Sequence, residues 1–418
     1  MRDIDCAFEQ LYRQHYGQLL AYTTRLTGDL AEAEDLVQGT YIKAMKQWPT
    51  ADYPPHASAW LMTTTRNAAL DHLRRVKDQS EKLAGELRFE QPEVEGINDT
   101  YLDQHPALTD DMLRLMFTCC HPALNIDARV ALCLNTICGL RTEEVARAFI
   151  TSDSTMSQRL WRAKNKILNA GISYQIPDDA ELPCRIASVL SAIYLIFNEG
   201  WLVSSGTQQQ RFDLILEAIR LAKLLDSCLP DAAEVTALLA LMMLQHSRRD
   251  ARFDEQGELV LLATQDRSLW HSNEIREATD MLKNVFKAGH GLSRYALMAA
   301  IAATHANTTQ AQATDWNEIV TLYEVLMGLD PSPVVALNHA VAIGERDGPD
   351  AGLRHTDSLL ESAMMQRYYL FHSTRAEFLN RLGRNTQAAD AYQQALFLCG
   401  SEVEQRFLQR QLDRLQAA

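Results

Sequence analysis

The stretch EEVARAFITSDSTMSQRLWRAKNKIL, residues 143–168, sets two segments of helical period on either side of a polar turn, TSDS. Thr142 is placed to cap the first segment, with Glu143 and Glu144 at the positive end of its dipole. Val145, Ala148 and Phe149 then form its inner face. Asp153 or Ser154 is placed to cap the second, where Met156, Leu160, Ala163 and Ile167 recur at helical spacing and face one core together. The opposite face carries Ser154, Thr155, Ser157, Gln158, Arg159, Arg162, Lys164 and Lys166, with no acid among residues 154–168. Small hydrogen-bonding side chains come first and cations follow. That order suits a recognition helix whose N-terminal end meets base edges while the rest holds phosphates. The competing reading is a solvated helix in an ordinary hairpin, and Ile150 stands where many helix-turn-helix turns have glycine.

The surroundings of that stretch bound the choice. With 418 residues, 47% hydrophobic and 22% charged, the chain is long enough for several domains. Its net charge of −14 is unevenly spread. Residues 1–77 hold nine acids and nine bases, and 78–110 hold nine acids and two bases. Residues 111–170 hold five acids and eight bases, which leaves −10 for 171–418. The acidic total therefore argues against nonspecific nucleic-acid coating but not against one basic helix. MRDIDCAFEQ at the start has no apolar core of a leader, and no run of about 18 apolar residues occurs, so a cytoplasmic chain without a membrane segment is expected.

Strand-like alternation is nearly absent, and Pro and Gly fall between periodic stretches, so the fold class expected is all-α. Residues 1–77 contain three helical stretches, with Phe8, Leu11, Tyr12, Tyr16 and Leu19 on the first and Ala33, Leu36, Val37, Thr40, Tyr41, Ala44 and Trp48 on the second. The third, about 58–76, turns Trp60, Leu61, Ala68 and Leu73 inward and leaves Thr63, Arg66, Asn67, Arg74 and Arg75 outside. With Tyr53 and His56 beside it, this face suits melted DNA, because rings stack on bases and arginines hold the backbone. Residues 78–110 read as an acidic linker, 111–170 as a compact helical set, and 171–418 as a helical-hairpin array divided at 206–210, 248–257, 287–291, 330–333 and 346–350. Near its end Ala376, Leu379, Gly383, Ala388, Tyr392 and Ala395 have tetratricopeptide-repeat spacing.

Together AEAEDLVQGTYIKAMKQW (31–48) and SAWLMTTTRNAALDHLRR (58–75) resemble region 2 of the extracytoplasmic-function (ECF) sigma factors of the sigma-70 family. Residues 110–167 resemble their region 4. TCCHPAL, ARAFI, TMSQRL and AKNKI, with YLIFNEGW, QDRSLW and SPVVALNHAVA further on, resemble the subgroup with a long tetratricopeptide-like C-terminal extension. The resemblance implies core RNA polymerase and promoter DNA as partners. It implies that Glu34, Asp35, Leu36, Val37 and Gln38 dock on the polymerase, that Trp60, Arg66, Asn67, Asp71, Arg74 and Arg75 engage the −10 element, and that Ser154 to Lys166 read the −35 element. Gly39 departs from the acid common at that position. The extension of 171–418 would be regulatory, with a protein or peptide partner, acting either by covering the reading helix or by supporting activity.

Other chemistries find little support. HExxH, a nucleophile elbow and a phosphate loop are absent, so neither an enzyme nor a cofactor is expected. FNEGW (197–201) reads as a helix end closed by Gly200 with Trp201 packing back, and QDRSLW as a capped helix start. The eight cysteines form no CxxC, and Cys119-Cys120-His121 reads as core packing rather than a metal site. The alternative from another class is a tetratricopeptide-coupled helix-turn-helix regulator that never joins polymerase. The docking and melting helices of 1–77 would be superfluous in such a protein.

Overall fold

A computed structural model describes residues 2–48, 56–84, 106–149, 151–201, 211–289 and 292–417. Among them helices dominate; an isolated antiparallel bridge joins Phe253 to Leu259, and Ser401 is a further bridge residue. The chain divides into two compact units, 1–196 and 197–418.

In the first unit, α1 (Arg2–Thr27), α2 (Leu30–Gln47) and α3 (Ala57–Ala84) pack on one another. Gly28, at φ +75°, turns the chain between α1 and α2. Asp29 then caps α2, its carboxylate accepting from the amides of Ala31 (2.7 Å) and Glu32 (3.2 Å). The core stripe of α3 is Leu61, Met62, Thr65 and Ala69, whereas Trp60, Ala68 and Leu73 stay half-buried. The sequence reading of that face was off by about a third of a turn, because Thr65 goes inside once its hydroxyl reaches the Thr40 hydroxyl at 3.1 Å. α3 also extends to Ala84, beyond the expected end near Val76. Tyr53 and most of the acidic segment lie outside the described residues.

α4 (Pro106–Cys119), α5 (Ile126–Leu132) with a π turn over Cys133–Ile137, α6 (Thr142–Ala148) and α7 (Asp153–Asn169) complete the helical set around the opening stretch. They share a core with α1. Gly17 of α1 lies so close to the π turn that a Cβ there would sit 2.4 Å from the Ile137 carbonyl oxygen. Buried Asp111 on α4 takes Arg25 of α1 at 2.9 Å and Arg114 at 2.8 Å. Tyr174 donates to the carbonyls of Ala21 (2.7 Å) and Asp111 (2.9 Å). α8 (Leu182–Trp201) is, among the described residues, the helix long and apolar enough to cross a membrane by composition. Its Arg185 is buried and donates to the Phe117 carbonyl at 2.7 Å, as a core helix of a globular unit does.

The second unit is a succession of helices, each packed on its neighbours: α9 (Phe212–Cys228), α10 (Ala233–His246), α11 (Ser272–Lys287), α12 (Arg294–Ala306), α13 (Trp316–Leu329), α14 (Pro333–Asp347), α15 (Pro349–Asp357), α16 (Tyr369–Arg381), α17 (Asn385–Leu398) and α18 (Glu402–Ala417). Ala376, Leu379, Ala388, Tyr392 and Ala395 are all buried between α16 and α17, which turn at Gly383, φ +71°. At the expected division 330–333, Ser332 caps α14 through the Val335 amide (3.3 Å) and Pro333 stands in its first turn. Two expectations need correction. Gly200 does not end α8: it is a close-approach glycine, where a Cβ would lie 2.8 Å from Ile215 Cγ1. QDRSLW forms a 3-10 turn, Arg267–Leu269, capped by Asp266 rather than a helix start.

Candidate nucleic-acid interface

α7 begins one residue earlier than expected. Ser152 is its cap, accepting from the Thr155 amide at 3.2 Å. α6 is closed by Glu144 rather than by Thr142: the carboxylate accepts from the Arg141 amide (2.8 Å) and from Arg13 of α1 (2.6 Å). Met156, Leu160, Ala163 and Ile167 are all buried, so the period that organised the stretch is the one the helix uses. Ser154, Thr155, Ser157, Gln158, Arg162 and Lys166 are exposed.

The cations of this face are not equivalent. Arg162 reaches only Gln158, at 3.5 Å, and has no carboxylate partner among the described residues. Lys166 donates to the Ala123 carbonyl at 2.5 Å. Arg159 lies over the Phe149 ring (5.2 Å) and 3.9 Å from Asp127. Lys164 points away from the rest: its Nζ donates to both carboxylate oxygens of Glu34 at 2.6 Å, on α2. Its assignment to the outward face thus meets a geometry in which it bridges two helices.

On α2, Val37 is fully buried core, Glu34 is buried against Lys164, Leu36 is half-buried, and Asp35 and Gln38 face solvent. Ile42 and Met45 continue the line of Asp35 and Gln38 along the helix and are 52% and 66% exposed. Sequence reasoning missed this pair. The signal was present as apolar residues out of phase with the stripe of Val37, Tyr41 and Ala44. On α3, Asn67, Asp71, Arg74 and Arg75 are exposed, while Arg66 and Trp60 are half-buried. Arg74 pairs with Asp71 at 3.3 Å, and the Trp60 ring meets that of Trp48 edge-on at 5.2 Å.

Between the start of α2 and α7 opens a cavity of about 570 Å³, lined among others by Leu30, Glu34, Lys164 and Tyr174. Trp161 of α7 stands at it, 67% exposed. Cys119, Cys120, Cys133 and Cys138 are all buried. Cys119 Sγ lies 3.2 Å from the Thr136 hydroxyl and Cys120 Sγ 3.2 Å from Cys133 Sγ, all inside the core. Burial pushes the Cys119 thiol up to about 12. His121 turns its Nδ1 to the Ala123 amide at 3.1 Å. No group of three or more His, Cys, Asp or Glu suited to a metal occurs among the described residues.

The family model of sigma-70 region 2 matches residues 11–79, which are most of α1 with α2 and α3. A family of unknown function (DUF6596) matches residues 185–286. An uncharacterised protein of Rhizobium meliloti is 39% identical over 414 residues, 99% of this chain and 96% of its own length. The ECF RNA polymerase sigma factor BldN of Streptomyces coelicolor is 28% identical over 178 residues, 42% of this chain and 62% of that protein. The ECF RNA polymerase sigma factor SigL of Mycobacterium tuberculosis is 44% identical over 69 residues, 16% of this chain and 38% of that protein. Region 2 lies at the front, and similarity to these sigma factors reaches past it in BldN. The chain belongs to the ECF sigma factors of the sigma-70 family that carry a long C-terminal extension.

Proposed function

We propose that this chain is a cytoplasmic sigma factor that joins core RNA polymerase and directs promoter recognition and melting, with 171–418 as its regulatory extension. The observation that carries the reading is the division of α7. Four apolar residues are sunk in the core, and Ser154, Thr155, Ser157, Gln158 and Arg162 face solvent in the order that base edges and phosphates require. Two further exposed faces support it. Asp35, Gln38, Ile42 and Met45 give α2 an apolar strip with a polar end, as a helix that docks on a protein has. Asn67, Arg74 and Arg75 on α3, with Trp60 near the start of the same helix, supply donors and a ring for unpaired bases.

In this arrangement Lys164 and Glu34 neutralise each other. A docking role for Glu34 and a phosphate role for Lys164 therefore both require the pair to separate. Run-off transcription with the full chain and purified core polymerase on a promoter pool tests the proposal. A promoter-specific transcript that appears only with the chain present is the expected result. Binding of a discrete operator without any co-elution with core polymerase would instead establish a helix-turn-helix regulator that works apart from it.

A further inference from the structure

The second unit contains a cavity of about 390 Å³ lined by Leu262, Arg267, His305, Trp316, Tyr323 and Glu345, among others. Its polar side is cationic. Arg267 Nη1 donates to the carbonyls of His305 (2.5 Å) and Thr308 (2.8 Å) and to the Thr308 hydroxyl. Its Nη2 has only a 3.5 Å contact with the Thr314 hydroxyl, its Nε has no partner, and its guanidinium lies 4.8 Å from the Trp270 ring. No carboxylate lies within ion-pair distance of Arg267 among the described residues. Arg248, held over Trp201 at 5.2 Å, likewise has none. Both cations act on His305, whose ring is driven down to about 4 by burial first and then by Arg248 and Arg267. Glu345 is the one carboxylate in the lining, and it is tied to Arg381 at 2.5 Å.

Arg267 is half-buried with its Nε enclosed, and a guanidinium partly withdrawn from water with no counter-charge carries a desolvation cost. Residues 171–418 carry a net −10, yet no acid is placed against Arg267. An anion entering the cavity would supply the missing charge. The opposite walls are the Trp316 indole, set edge-on to His305 at 5.3 Å, the Tyr323 ring and the aliphatic chains of Leu262 and Ile319. Bare phosphate would lose hydration against such walls and gain nothing from them, whereas an apolar or aromatic body would fit.

We propose that this cavity binds a small organic carboxylate, its head beside Arg267 and its apolar body against Trp316 and Tyr323. The proposal rests on the second unit alone and is independent of the promoter-reading role.

The test is calorimetric titration of the full chain with benzoate, phenylacetate and hexanoate, with their neutral amides, and with inorganic phosphate. At least one carboxylate should bind saturably at one site, and its amide about tenfold or more weaker. Arg267→Gln should lose binding by a similar factor. Because Arg267 also clamps three oxygens, Asn338→Trp provides a second variant: Asn338 lines the cavity from an exposed position on α14, and the indole would fill it. Loss of binding in N338W with an unchanged melting curve supports the site even if R267Q fails to fold. No saturable carboxylate binding at millimolar concentration, equal binding of acid and amide, phosphate binding as tight as the carboxylates, or undiminished binding in N338W each overturns it.

Discussion

Gly39 and Gly17 both lie within helices of the first unit, and a methyl group added to each should have opposite effects. A Cβ at Gly39 would meet nothing within 4 Å, so Gly39→Ala removes only the backbone-entropy cost of glycine in a helix. Chemical denaturation should show α2 and its unit stabilised by about 0.5–1 kcal/mol. A Cβ at Gly17 would lie 2.4 Å from the Ile137 carbonyl oxygen, a backbone atom that cannot rotate away. Gly17→Ala should therefore cost about 2 kcal/mol or more by forcing α1 off the π turn. A neutral Gly17→Ala would mean that the two helices are not in contact. The sequence showed both glycines inside helical periods but nothing of what faces them, since Ile137 is far along the chain. The same limit governed Lys164: its period placed it near the outward face, and only the fold brings Glu34 to it.

At the level of the helix, α7 was legible almost entirely. Its buried stripe followed from spacing alone, and the expected cap was missed by one residue because Ser152, Asp153 and Ser154 all have the chemistry to serve. What spacing could not rank is the worth of each cation. Arg162 has no carboxylate partner among the described residues and is exposed, whereas Arg159 is held by Phe149 and Asp127. Arg162→Ala should weaken promoter binding of the polymerase complex by about 1–3 kcal/mol and lower the salt slope by about one, and Arg159→Ala should do less. Fluorescence anisotropy across a salt series measures both, and an unaltered slope for Arg162→Ala would remove it from the interface. The Lys164–Glu34 bridge is open to a double-mutant cycle with Lys164→Met and Glu34→Gln. Each single change strands a largely buried partner and should cost about 2 kcal/mol, and the double variant should recover a part of the sum. Strict additivity in denaturation would show that the bridge contributes nothing.

For the molecule as a whole, the all-α class was readable because strand-like alternation is nearly absent over 418 residues; among the described residues helices break at the expected 248–257, 330–333 and 346–350, while 206–210 lies outside them. The cavity of the second unit was not readable, since its lining comes from residues 262–345 and its defining property is a cation with no carboxylate partner among the described residues. That property has a pH signature. His305 is ordinarily protonated below about 6.5, but in the folded unit burial, Arg248 and Arg267 hold it neutral down to about 4. Above pH 6.5 both folded and unfolded chains carry it neutral, so the stabilisation is complete there. Between about 6.5 and 4 only the unfolded chain takes up the proton, and stability falls with pH by about 1–3 kcal/mol before levelling off. Glu404 acts in the opposite direction, because burial raises its carboxyl and protonation then favours the folded state as pH falls. The two contributions separate by variant: amide exchange across Arg294–Ala306 should accelerate from pH 7 to 5, after correction for intrinsic rates, in the native chain. In His305→Gln, which cannot titrate, that acceleration should be largely absent. An identical pH response in the two proteins would show that His305 is free to protonate, and with it that the positive field of Arg248 and Arg267 is compensated by some other group.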